Sequence, residues 1–510
     1  MSEGHSTGEQ DTGVPAAGPT PAGRGLGRVA IRGTAYMFAG QVVVKLTALL
    51  SLWVLGYYLD EGQFAVWGLA LSTVALADCV RDMGAHKVLI QRGAEFEELG
   101  SPVFKMGLGF NLASAAVLLG VAPVMGRVYD DTLITWLIVI AALTIPLQSP
   151  VTVMRAKLSI GLRFATLVKL DIAMQFVKNG SMILFAVLGF GVYSFVLPLV
   201  IMALFNIAAF RFCAGPMPPA RKLTKEHFQT IFAAVKWITL SSFFGALINQ
   251  GDRLVIGWFE IKDTVGVYFF AFQLIFSTVV IFGSGMIGVF MPTLSKLADD
   301  PARRALVYQR MLRVSSVVFS AVSILAMIVS GPAIHHLWRG RWDAAIPVAE
   351  VMSVSLSLYL LGPVAMSLIE AAGRWHFRAA LMCTEMAGVL IAAGVGAWLG
   401  GLVAIAVCVV SVKAAMGVVQ CVVAGRFTGI GPGAVIGPLA GPVLLALVCG
   451  GLSYFGADRL LPGRDIAAGV AGLAVFTTLY AVGLRLLLPL HFKEMLGVVG
   501  QLVPGRRAAA

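Results

Sequence analysis

The chain has 510 residues, 58% of them hydrophobic and 13% charged, with mean hydropathy +0.87 and a formal net charge of +12. Soluble domains carry about a quarter charged residues, so an ordinary soluble protein is excluded. Most of the length falls into apolar runs of roughly 20 residues, which cross a bilayer as helix, and the positive excess reads as cytoplasmic-loop Lys and Arg rather than a nucleic-acid face.

Residues 1–30 are rich in Gly, Pro, Ser, Thr and Ala and lack an apolar run, which predicts a disordered cytoplasmic tail rather than a signal peptide. Arg24, Arg28 and Arg32 precede the first span and hold the N-terminus inside. Fourteen apolar spans follow, at about 34–58, 63–90, 103–128, 132–154, 165–189, 191–213, 228–259, 264–292, 311–332, 347–371, 376–399, 401–424, 434–457 and 465–489. With loops alternating from a cytoplasmic start, outer loops receive Arg127, Lys262, Arg339, Arg341, Arg459 and Arg464, and cytoplasmic segments receive most of the other cations. That asymmetry is the positive-inside pattern.

The chain repeats itself. LGYYLDEGQFAVWG (Leu55 to Gly68) aligns without a gap on IGWFEIKDTVGVYF (Ile256 to Phe269), an offset of 201 residues (257 − 56). SPVTVMRAKLSIGLRF, ending at Phe164, repeats as GPVAMSLIEAAGRWHF, ending at Phe377. The copies start six spans apart, and an even number returns the chain to the same side. Two six-helix lobes in parallel orientation follow, with the substrate between them. The expected organisation is an N-lobe at 31–213, a linker at 214–227, a C-lobe at 228–425, spans 13 and 14 within 426–492, and a cytoplasmic tail at 493–510.

The six cysteines show no CxxC and no clustered Cys/His spacing, so neither a disulfide framework nor a metal site is expected. His335-His336 with Trp338 and Trp342 falls in an outer loop; two adjacent histidines make a poor metal site, and the tryptophans read as an interfacial belt. Walker A, GxSxG and HExxH motifs are absent, which leaves no support for ATP hydrolysis or hydrolytic chemistry and predicts no cofactor. Pro146, Pro150, Pro198 and Pro363 are natural kink points.

Charges within spans are costly and normally face a cavity or a partner. Lys45, Lys178 and Lys413, with Arg253, are candidates for a cationic cavity that accepts an anionic headgroup; the bland alternative is a lysine snorkelling to a polar edge. Asp252 and Glu385 are candidates for coupling to H⁺ or Na⁺, against the alternatives of an ion pair or a neutral hydrogen-bonded acid. Asp78, Arg81 and Asp82 share a helical face at the inner end of span 2 and suit either an anchoring ion-pair set or an inner gate. Arg155, Lys157 and Arg163 form a basic stretch that would rest on the anionic inner leaflet or gather the headgroup.

Several stretches carry a family resemblance covering roughly residues 30 to 425. These are Asp252 with LVIGWFEIKDTVGVYFFA, MPTLSKLADDP with Tyr308, LWRGRWDAAIPV, and the Ala-Ala-Gly-Arg at 371–374. In the first half they are YYLDEGQFAVWGLA, Asp82-Met83-Gly84, LIQRG and RAKLSIGLRF. The chain resembles the polysaccharide transporter branch of the MOP (MATE-like) superfamily, the Wzx-type flippases. That resemblance implies an all-α polytopic fold and translocation of a polyprenyl-diphosphate-linked saccharide to the outer leaflet of a bacterial inner membrane, with polysaccharide polymerase and export machinery as partners. Rivals are a MATE-type cation-coupled small-molecule exporter, a lipid II flippase, and a membrane polymerase or ligase; the last would need a sizeable catalytic outer loop, and every outer loop here is short.

Overall fold

A computed structural model describes residues 43–82, 89, 95–161, 163–219, 221–259, 262–295, 297, 300–460 and 466–502. The expected tail over 1–30 lies outside these. The first half comprises α1 (Val43–Tyr58), α2 (Glu61–Asp82), α3 (Phe96–Val128), α4 (Thr132–Thr144), α5 (Ser149–Ile160), α6 (Phe164–Val187) and α7 (Tyr193–Ala214). The second half comprises α8 (Lys225–Phe259), α9 (Lys262–Ser295), α10 (Pro301–Leu337), α11 (Ile346–Tyr359), α12 (Leu361–Ala371), α13 (Trp375–Leu399) and α14 (Leu402–Arg426). After these come α15 (Pro432–Leu460), α16 (Ile466–Leu487) and α17 (Pro489–Leu502). The described residues contain no strand.

Ten of the resulting spans are long and apolar enough to cross a membrane by length and composition. Helices α1, α2, α8 and α9 occupy the other four of the fourteen span positions, and the apolar run of α8 is interrupted by Asn249, Gln250, Asp252 and Arg253. Two spans are broken at repeat-equivalent places. A 3₁₀ turn at Pro146–Gln148 separates α4 from α5, and Leu360 separates α11 from α12 just before Pro363. Proline removes a backbone donor and crowds the preceding turn, so the helix re-forms at a new angle beyond it. Pro198, by contrast, sits inside the continuous α7.

Helix α2 packs on α8 and α9 and so joins the two halves. Within the second half, α8 packs on α13, α13 on α14, and α14 on α11 and α12. Helices α15 and α16 pair with each other and lie against α10. The expected tail from 493 is partly helical: α17 docks on α10 through Arg313, whose Nε and Nη2 donate to both carboxylate oxygens of Glu494 at 2.7 and 2.8 Å.

The tryptophan belt expectation is corrected. Trp338 and Trp342 are 3% and 0% exposed and wedge between the halves, where Trp342 stacks on Phe270 with centroids 4.0 Å apart. Exposed rings at that end include Trp53 and two repeat-equivalent pairs at the ends of α1 and α8, Tyr57 with Tyr58 and Trp258 with Phe259. An indole whose N–H finds a carbonyl inside the protein has no need of the wet interface.

Candidate functional site

Helix α8 brings Asn249, Gln250, Asp252 and Arg253 into one stretch, and residues three apart share a face. Arg253 accordingly donates from Nη1 to the Gln250 side-chain oxygen. Its guanidinium lies over the rings of Phe269 and Phe272 on α9, 4.8 and 4.3 Å from their centroids. Asp252 accepts from the Arg253 amide at 2.9 Å and from the Tyr268 hydroxyl at 3.0 Å. Lys413 on α14 places its ammonium 3.9 Å from Asp252 and 5.3 Å from the centroid of Phe272. Asp252 is 0% exposed, Arg253 1% and Lys413 5%.

A second carboxyl adjoins this cluster. Glu385 on α13 is buried and accepts from Gln420 Nε2, on α14, at 2.6 Å. Lys413 feels both carboxylates and the Arg253 charge. Two acids and two bases therefore balance inside the second half. Full ionisation gives no net charge, which is how a low-dielectric interior tolerates such groups. Balance is not saturation: Arg253 Nε and Nη2 are buried without a hydrogen-bond partner. A small cavity of about 30 Å³ opens beside Lys413, lined also by Tyr268, Phe272, Tyr359 and Ser355, and it is large enough for about one water.

The four second-half candidates, Arg253, Lys413, Asp252 and Glu385, thus stand together. Lys45 and Lys178 are half-buried on α1 and α6 of the first half, flanking the bond in which Asn179 Nδ2 donates to Thr47 Oγ1 at 3.2 Å. The side chains of Asp78, Arg81 and Asp82 lie outside the described residues, although α2 runs through them. The basic stretch has protein partners. Arg155 pairs with Asp171, Lys157 donates to the Pro216 carbonyl at 2.9 Å, and Arg163 donates to the Cys213 carbonyl at 2.9 Å. Those contacts tie α5 to α6 and to the end of α7.

Tyr268, Gln420 and Tyr359 complete the cluster, and none of them stands out as a charge in an apolar run. Gln420 carried a readable signal, since it lies two helical turns from Lys413 on the same face. The tyrosines did not, because aromatic residues crowd every span.

Residues 54–347, more than half of the chain, match the family described as polysaccharide biosynthesis protein. The chain belongs to this family. Among curated relatives, the lipopolysaccharide biosynthesis protein WzxC of Escherichia coli (strain K12) is 22% identical over 360 residues, covering 68% of this chain and 70% of that one. The succinoglycan biosynthesis transport protein ExoT of Rhizobium meliloti (strain 1021) is 24% identical over 313 residues, covering 59% of this chain and 61% of its own length. Among solved structures, an inward closed conformation of the lipid II flippase MurJ superposes with TM-score 0.70 at 12% identity, covering 90% of this chain and 99% of that one. An inward-facing multidrug resistance MATE transporter of the MOP superfamily gives TM-score 0.57 at 16% identity, covering 76% and 94%. The protein is a multi-pass membrane protein with the MATE-like helical fold.

Proposed function

We propose that the protein is a flippase. It carries a polyprenyl-diphosphate-linked oligosaccharide from the inner to the outer leaflet of a bacterial inner membrane, with both termini cytoplasmic. The observation that carries this reading is the Arg253 guanidinium, buried with two nitrogens unpartnered and with a second cation, Lys413, in the same cluster. Buried donors left unpaired are costly, and a phosphate oxygen supplies the charged acceptors they lack. A diphosphate is an anion with several such oxygens, while the polyprenyl tail remains in lipid. The names of the curated relatives, one a lipopolysaccharide biosynthesis protein and one a succinoglycan transport protein, support the same substrate class.

Transport proceeds by alternating access, with no bond made or broken in the substrate and no cofactor. Asp252 and Glu385 couple it to an H⁺ or Na⁺ gradient, and the product is delivered to polymerase and export machinery at the outer leaflet. A strain lacking the protein tests this reading. A polyprenyl-diphosphate oligosaccharide should accumulate at the inner leaflet, and Arg253→Gln should fail to restore surface polysaccharide while inserting normally. Accumulation of lipid II alone would transfer the assignment to peptidoglycan precursor. An unchanged lipid pool with sensitivity to cationic dyes would favour a small-molecule exporter and sink the flippase reading.

A further inference from the structure

At the end expected to face outward, the two halves are joined by contacts that obey the internal repeat. Trp338, which caps the C-terminus of α10, donates from its indole nitrogen to the carbonyl of Trp53 on α1 at 3.1 Å. Tyr129, which caps the C-terminus of α3, donates from its hydroxyl to the carbonyl of Leu254 on α8 at 3.0 Å. The acceptors differ by the repeat offset of 201 (254 − 53), and each bond crosses from one half to the other. Each aromatic also lies against a repeat-equivalent glycine. A Cβ on Gly56 would stand 2.4 Å from Trp338 Nε1, and one on Gly257 would stand 2.9 Å from Tyr129 Cε1. After each aromatic comes a left-handed residue, Asp130 at φ 48° and Arg339 at φ 53°, the non-glycine residues with positive φ among those described. Midway, α2 and α9 cross with Gly68 against Phe269, its own repeat partner, so the pseudo-twofold axis runs through that crossing.

The two latches are unequal. On α1, Trp342 adds an indole bond to the Gly56 carbonyl at 2.8 Å and Arg341 adds a guanidinium bond to the Tyr57 carbonyl at 2.8 Å. Both carbonyls belong to the last turn of α1 and have no intrahelical donor. At the spacing that relates Trp338 to Tyr129 (338 − 129), the counterparts of Arg341 and Trp342 are Thr132 and Leu133, which carry neither group. The weaker latch ends on Leu254, the residue next to Arg253.

We propose that Tyr129 is the releasing latch and Trp338 the holding one, and that detachment of Tyr129 from Leu254 links occupancy of the Asp252–Arg253–Lys413 cluster to opening at this end. The proposal rests on alternating access but not on which substrate is moved. Ser72 offers a reporter. It is fully buried, one turn beyond Gly68 on the α2 face that meets α9, with its hydroxyl bonded to the Gly68 carbonyl at 2.8 Å. In whole cells, labelling of Ser72→Cys by a membrane-impermeant maleimide, above the background of the parent's own cysteines, reads opening at the outer face. Tyr129→Phe should raise that rate about five- to tenfold, the shift in a two-state equilibrium for one net hydrogen bond. Trp338→Phe should change it less than twofold until Arg341→Gln and Trp342→Phe are added. A parental rate in Tyr129→Phe, or a larger effect from Trp338→Phe alone, would overturn the assignment of roles.

For the coupling, Arg253→Gln should alter the rate in the parent but not in the Tyr129→Phe background, with Lys413→Gln as a second variant if Arg253→Gln does not reach the membrane. Additive effects would overturn the link. Failure of the flippase reading shows elsewhere, in the lipid pool of the deletion strain, and leaves these labelling rates as they are.

Discussion

Lys413 and Asp252 illustrate how a buried charge constrains its neighbours. Their charged atoms are 3.9 Å apart, with side chains 7% and 0% exposed, and Asp252 is further held by the Tyr268 hydroxyl. Removing one member of a buried pair strands the other, at a cost of about 3 kcal/mol or more. Lys413→Met should therefore lower the thermal midpoint of the purified protein, and adding Asp252→Asn should recover most of that loss without restoring transport. Thermal unfolding and an export assay on the same three proteins would separate folding from function; a double variant no more stable than Lys413→Met would show that the pair does not compensate. Glu385→Gln should flatten the dependence of transport on external pH, because its amide cannot take up a proton where the carboxyl can. An unaltered profile removes Glu385 from the coupling groups.

At the level of elements, the crossing of α2 and α9 depends on absent side chains. A Cβ on Gly266 would lie 1.9 Å from the Glu61 carbonyl oxygen, a backbone atom that cannot rotate away. Gly266→Ala should push the helices apart, with an overpacking cost of about 1–3 kcal/mol. The expected outcome is a lower midpoint together with faster labelling of Ser72→Cys from outside, since the same contact closes that end. Gly451, where an added Cβ meets nothing within 4 Å, is the control, and Gly451→Ala should leave both measurements near parental values.

Across the whole molecule, α17 fastens the C-terminal end back onto α10 and α15. His491 Nε2 donates to the Pro438 carbonyl at 3.1 Å, beside the Arg313–Glu494 pair. Burial pushes the His491 imidazole below its ordinary range, assisted by the Arg313 charge and opposed by the Pro438 bond and by Glu494. Released α17 then binds a proton more readily than docked α17, so docking is at full strength above the ordinary histidine pKa of about 6.5 and weakens as pH falls through it. Amide exchange over residues 489–502 should rise between pH 7.5 and about 5.5, measured after correction for intrinsic rates. His491→Gln should remove that rise; a rise that persists in the variant would place the titrating group elsewhere.

Much of this protein was legible in its sequence because membranes impose one-dimensional rules. Span length, the placement of Lys and Arg, and the offset of 201 between Gly56 and Gly257 follow from bilayer thickness, positive-inside insertion and duplication, none of which needs packing to be known. Arg253, Lys413, Asp252 and Glu385 were visible for the same reason, as charges in apolar runs. Which of them meet was decided only by the tertiary structure, since α8, α13 and α14 are far apart in sequence and a charge does not announce its partner. Trp338 and Trp342 mark the limit most clearly. Composition and position suited a lipid interface, but the carbonyls of Trp53 and Gly56 accept their N–H groups inside the protein, and those acceptors come from the other half of the chain.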